Sequence, residues 1–238
     1  MSHITTVFSK TMKMSDLIDA DYELLLLLMR LNIPLGFGEK SVEKVCLQNG
    51  FDPDCFVFLA GFQSGGATAN VREEFEQLPL EPFLVYLKKS HAYFLEDRLP
   101  NIRRKLKIVF DEGDKDRQSV ALSFFDHYLQ EVIDHMHYED EVVFPYLRSL
   151  INSKNTGEQY SIAIFEERHN NIDEKVSDLK RILMKYVSDV TDQRLMTNIL
   201  LELYLTQEEL EKHTFIEDNF IIPRAKKIER SNAEKRGY

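Results

Sequence analysis

The chain has 238 residues, 43% apolar and 29% charged, enough to bury a sizeable core in one large domain or in a main domain with a small companion. Its formal net charge of −10 argues against a sequence-independent grip on nucleic-acid phosphates, which needs clustered Lys and Arg. Two cysteines, Cys46 and Cys55, cannot build a disulfide framework, no segment is apolar for long enough to cross a bilayer, and the N-terminus lacks a secretory signal. The expected setting is therefore the cytoplasm, with no membrane and no nucleic acid as partner.

Few Gly and Pro, no Trp, and apolar residues at three- and four-residue spacing predict an all-α protein. Residues 1–64 read as a small N-terminal helical domain. Ser15 can cap a helix running to about Leu31, which the Pro34, Gly36 and Gly38 stretch ends. A second helix covers about 40–48. Asp52 at N-cap and Pro53 at N1 open a third. Residues 65–79, beginning at Gly65-Gly66, read as a linker that is partly helical towards Pro79.

Four long helical segments then fill residues 80–228. They run over about 80–110 with a bend at Pro100, about 115–150, about 159–187, and from about 192 to near Lys227. The polar stretches between them place neighbouring helices antiparallel, in an up-down-up-down four-helix bundle. Residues 229–238 read as a polar tail.

The chemistry of this bundle repeats at an offset of 78 residues. Glu131, His135, Glu139, Asp140 and Pro145 recur as Glu209, His213, Glu217, Asp218 and Pro223, and His91 recurs as His169. With seven His in the chain, a given position is His only about 3% of the time, so chance explains the match poorly. His-x-x-x-Glu on a helix sets the two side chains about 40° apart, one turn separated. Each interval between successive candidate histidines allows a climb of roughly 22–30 Å, a turn and a return to the same depth. Six side chains can thus meet at one level: His91, His135, Glu139, His169, His213 and Glu217.

Four imidazoles and two carboxylates form a mixed N/O set that suits iron or manganese, with zinc also able to bind such donors. Six ligands in a pseudo-two-fold arrangement divide best between two ions. His91 and His135 would serve one ion and His169 and His213 the other, with Glu139 and Glu217 bridging and room left for an oxo or hydroxo bridge and a small ligand. Glu131 and Glu209, one turn before His135 and His213, read as outer carboxylates that orient imidazoles or relay protons, against the plainer reading of a solvated face. Asp140 and Asp218 fall about 140° from their histidines on an α-helix and are weaker ligand candidates. Phe94, Phe144, Phe165 and Phe220 read as core residues that keep the site dry, and Pro145 and Pro223 as residues that bend or end their helices.

These segments resemble the hemerythrin-like di-iron proteins, in particular the bacterial iron–sulfur cluster repair family (repair of iron centres). Ser90-His91 with Leu99-Pro100, HMHYEDEVVFP, EERHNNIDEKV and HTFIEDNFIIP are similar to that family's four ligand segments in order. The resemblance implies a hemerythrin-like bundle holding two non-haem iron ions on His91, His135, Glu139, His169, His213 and Glu217. Asp218 stands as a rival, because His-x4-Asp also occurs in hemerythrins. True hemerythrins carry a further His four residues after the third-helix ligand. Asp173 stands there instead, which points away from simple oxygen carriage.

Residues 1–64 look like that family's small N-terminal domain without its adjacent cysteines, and Cys46 and Cys55 read as small buried residues. The implied function is repair of iron–sulfur clusters or a response to nitric oxide and oxidative stress. The protein would bind or reduce nitric oxide, possess nitric oxide reductase-like activity, or deliver iron to damaged iron–sulfur proteins, drawing on an electron donor the sequence does not identify. The alternatives are an oxygen or nitric oxide sensor using the same site, and iron storage or transfer.

Overall fold

The computed structural model describes residues 8–65, 70–110, 115–152, 160–168, 174–186 and 192–236. The chain divides into two compact units, Met1–Ser90 and His91–Tyr238. Every regular element among the described residues is helical.

The first unit holds α1 (Met14–Ala20), α2 (Leu24–Arg30), α3 (Val42–Gln48), α4 (Pro53–Gln63), α5 (Val71–Gln77) and most of α6 (Glu81–Ala92). The single helix expected over residues 15–31 is two helices. Asp21 is extended at φ −152°, and its Oδ1 accepts a hydrogen bond from Glu23 N at 3.0 Å, a side-chain turn that competes with helix continuation. Lys13, not Ser15, occupies the N-cap of α1. Asn32, at φ 56°, ends α2 in the left-handed region that Asn tolerates. Asp52 caps α4 as expected, its Oδ1 accepting from Cys55 N at 2.9 Å. Part of the expected linker, residues 71–77, is helical because Phe75 is buried against Phe83, their rings 4.7 Å apart. Tyr86 Oη accepts from Arg30 Nη1 at 2.6 Å and from Gln63 Nε2 at 2.9 Å, tying α2, α4 and α6 together. Cys46 and Cys55 are buried, and burial pushes the Cys46 thiol up to about 12, so it is no thiolate near neutral pH.

The second unit continues from α6 through a π-helical turn (π1, Tyr93–Arg98) into α7 (Leu99–Phe110). There follow α8 (Lys115–Tyr138), π2 (Glu139–Val143), α9 (Phe144–Ile151), α10 (Ile162–Arg168), α11 (Glu174–Tyr186), α12 (Gln193–Ile216), π3 (Glu217–Ile221) and α13 (Ile222–Arg236). α7 packs on α8 and α12, and α11 packs on the same two, which closes a four-helix bundle. Leu106, Phe125, Val132, Leu179, Ile199 and Leu203 are fully buried in its core. Each such side chain stabilises the fold by about 1.5–3 kcal/mol relative to exposure. The expected polar tail is instead helical to Arg236. Glu229 anchors it, accepting hydrogen bonds from Tyr146 Oη and, at 2.8 Å, from Ile162 N. No helix among the described residues is long and apolar enough to cross a membrane.

The three π-turns share one cause. Each closes with an i+5 bond, Leu99 N to Phe94 O, Phe144 N to Glu139 O and Ile222 N to Glu217 O, and in each the next residue is proline: Pro100, Pro145 and Pro223. In an α-helix the proline ring would clash with the carbonyl four residues earlier. The wider turn moves that carbonyl aside. Pro145 and Pro223 therefore do not end their helices. They fix a wide turn at the same place in both halves of the repeat.

Candidate metal centre

Each of π2 and π3 begins with a carboxylate of the repeat, Glu139 or Glu217, one turn after His135 or His213. The side chains of His91, Glu139, His213 and Glu217 are all buried, and each offers a ligand atom within 4.8 Å of the other three. His91 Nε2 lies 3.1 Å from His213 Nε2 and 3.1 Å from Glu139 Oε2. His213 Nε2 lies 3.1 Å from Glu217 Oε1. His135 joins from outside this set: its Nε2 is 3.0 Å from Glu139 Oε1, so the two oxygens of Glu139 face different imidazoles. His135 is also 12% exposed where His91 is 1% exposed, which makes its side of the centre the more open one. His169 lies outside the described residues.

Aromatic rings wall the imidazoles. Phe144 stacks on His91 at 5.3 Å and 18°, and Phe94 sets its edge against His213 at 6.1 Å and 85°. Phe165 and Phe220 are buried as core residues.

Asp140 turns out to matter in a way that α-helical spacing does not reveal. Its Oδ1 is 3.0 Å from His91 Nδ1, a carboxylate–imidazole pair that leaves Nε2 aimed at Glu139 and His213. An angle of about 140° from His135 presumes 100° per residue, and π2 does not turn at that rate. The adjacent proline, Pro145, was the available signal. Its repeat counterpart Asp218 is exposed on π3.

The two expected outer glutamates part company. Glu131 is half exposed and its carboxylate sits on Lys175 Nζ, so the solvated-face reading applies to it. It points outward because α8 spends its inward positions there on Tyr128 and Val132, both buried. Glu209 is buried, but it faces Arg98 Nη2 at 3.6 Å, and His213 Nδ1 makes no hydrogen bond among the described residues. Arg98 Nε also donates to Thr206 Oγ1 at 3.1 Å. Glu202, Thr206, Glu209, His213 and Glu217 share one side of a helix, within about 80° of each other. That polar seam has no match in α8, where Phe124 and Tyr128 stand 78 residues before Glu202 and Thr206.

Charge decides what the centre can hold. Burial and the neighbouring Glu217 push Glu139 up, yet His135 and His91 outweigh both and hold its carboxyl below the ordinary range. Burial pushes His91 down, but its bonds to Asp140 and Glu139 prevail and hold the imidazole up at about 9. Two carboxylates buried side by side need positive charge between them, since an uncompensated buried ion costs several kcal/mol. In the metal-free protein a proton on His91 supplies part of it. A metal cation in the same place supplies more, and the N/O donor set without thiolate fits iron or manganese.

Residues 84–233 match the family model described as the Hemerythrin HHE cation binding domain. Among curated proteins, no sequence matches the chain.

Proposed function

The chain belongs to the hemerythrin HHE cation-binding family, and from that premise we propose that it is a cytoplasmic non-haem di-iron protein of iron–sulfur cluster repair and nitric oxide or oxidative stress. The observation that carries the reading is the buried convergence of His91, Glu139, His213 and Glu217, with His135 on its more open side. Two ferrous ions held there, with His169 completing the ligand set, would supply two electrons and an open position for nitric oxide or dioxygen.

The protein's own residues set the terms. Glu139 and Glu217 offset the cation charge, and Asp140 holds His91 with Nε2 inward. Phe94 and Phe144 exclude water from the His213 and His91 sides, so a small gas enters past His135. Reduction of nitric oxide, or release of iron to a damaged cluster, then draws on an outside electron donor.

A sensor reading has one observation of its own. The first unit presents no reactive thiol, because Cys46 and Cys55 are both buried. A unit without such chemistry is better suited to contacting a partner than to handling iron.

Metal analysis with Mössbauer and ultraviolet–visible spectra of wild type and His135→Ala tests the centre. The expected result is about two irons per wild-type chain, an oxo-bridge absorption, and loss of both in the variant. A purified, iron-reconstituted protein that keeps no iron would sink the reading. Nitric oxide turnover with a supplied reductant supports repair chemistry, whereas tight binding without turnover supports the sensor.

A further inference from the structure

The outward face of α12 carries an apolar patch that the bundle core does not use. Leu201 is 57% exposed and Tyr204 49%, and Leu205 completes the patch one turn from Leu201. Met184 on α11 extends it on one side, with Tyr204 Oη donating to Met184 Sδ at 3.9 Å. On the other side α7 lies against α12 through the Lys105–Glu202 pair, and Ile108, one turn on from Lys105, is half exposed. Lys180 Nζ lies 3.7 Å from the Tyr204 ring centroid, a cation–π contact that helps fix that ring.

The charges beside this patch say what covers it. Arg194 lies seven residues before Leu201 and Glu208 seven residues after, and both are exposed. Seven residues return a helix to within about 20° of the same direction after a rise of roughly 10.5 Å. Arg194, Leu201 and Glu208 therefore form one straight row, positive at one end, apolar in the middle, and at the other end carrying Glu208, whose carboxylate also meets Lys212 Nζ at 2.7 Å. A two-fold axis through Leu201 sets a second α12 antiparallel to the first, with Arg194 of each copy opposite Glu208 of the other and Leu201 against Leu201. The row is complementary to itself in that one register, as a closed isologous interface requires.

We propose that this face is the interface of a homodimer, two copies packing α12 against α12 about Leu201, with Leu205 and Tyr204 flanking it. Parallel pairing would set Arg194 on Arg194 and Glu208 on Glu208, so the charges select the antiparallel arrangement.

Sedimentation equilibrium of the full, metal-loaded chain over about a hundredfold range of concentration reads the dimer directly. The expected species has twice the 27.9 kDa chain mass. Leu201→Asp should leave a folded monomer, checked by unchanged helical circular dichroism. Arg194→Glu and Glu208→Arg should each weaken the dimer by about tenfold, and the two together should restore it. Leu201→Cys should form a disulfide-linked dimer under mild oxidation, and the two native cysteines are buried and do not compete. A chain that stays monomeric throughout overturns the proposal, as does a dimer indifferent to both charge reversals.

Discussion

Asp140 and His91 stand 49 residues apart in the chain, yet Asp140 Oδ1 lies 3.0 Å from His91 Nδ1. With the Nδ1 proton committed to that carboxylate, the ring cannot rotate or change tautomer, and Nε2 stays on Glu139 and His213. Asp140→Asn keeps the size but replaces the anion by an amide that can present a donor to the ring. Metal affinity should fall by about 10- to 100-fold, the usual cost of losing such an outer partner. Competition titration against a calibrated chelator measures it. An unchanged affinity would show that Asp140 only packs.

Glu217→Gln should have opposite effects in the two states of the protein. Metal-free, it removes one of two carboxylates buried together, so relief of repulsion should raise the thermal midpoint. Metal-loaded, it removes a ligand and an offsetting charge, so the gain in midpoint on adding metal should shrink or vanish. Differential scanning calorimetry with and without iron reads both signs. A lower metal-free midpoint would contradict the charge argument.

The metal-free protein should lose stability as pH rises from about 6.5 to about 9. His91 has its value raised from 6.5 to about 9 in the fold, because Asp140 and Glu139 outweigh burial. A group held up in this way stabilises the fold fully below its unfolded value, and the contribution disappears as pH climbs through the folded one. Metal binding must displace the Nε2 proton, so affinity should rise over the same window with proton release. Calorimetric titration in buffers of different ionisation heat counts that proton. Asp140→Asn should flatten both profiles.

The bundle and its repeat were legible because both rest on spacing. His135 to Glu139 and His213 to Glu217 are one helical turn, and a turn brings side chains together whatever surrounds them. What spacing could not show is where the helix stops being α. The π-turns that place Asp140 beside His91 follow from prolines, and a proline in a helix can equally bend or end it. Nor does a repeat show which copy faces inward. Glu131 and Glu209 match in sequence, yet one meets Lys175 in solvent and the other is buried beside Arg98, because their partners lie on helices outside the repeat motif. Glu229 was misleading for the same reason: a polar residue in a polar tail becomes an anchor only when Tyr146 and Ile162 reach it.

Arg98 and Glu209 form a largely buried ion pair on the polar seam of α12, and they should be coupled in stability. Arg98 Nη2 is 3.6 Å from Glu209 Oε1, too long for a strong hydrogen bond, while Nε is anchored on Thr206. Such a pair contributes little compared with well-packed apolar residues, but removing one partner leaves the other charge in the interior without its opposite. Arg98→Met alone should therefore cost about 3 kcal/mol, and Glu209→Leu alone a similar amount. The double variant should recover most of both losses, because neither charge is left behind. Chemical denaturation of all four proteins closes the cycle. If the double variant instead loses the sum of the two, the residues act independently and the seam is held by Thr206 and Glu202. If stability recovers but nitric oxide turnover at the iron-loaded centre does not, the pair serves the centre, one turn from His213, and not the fold.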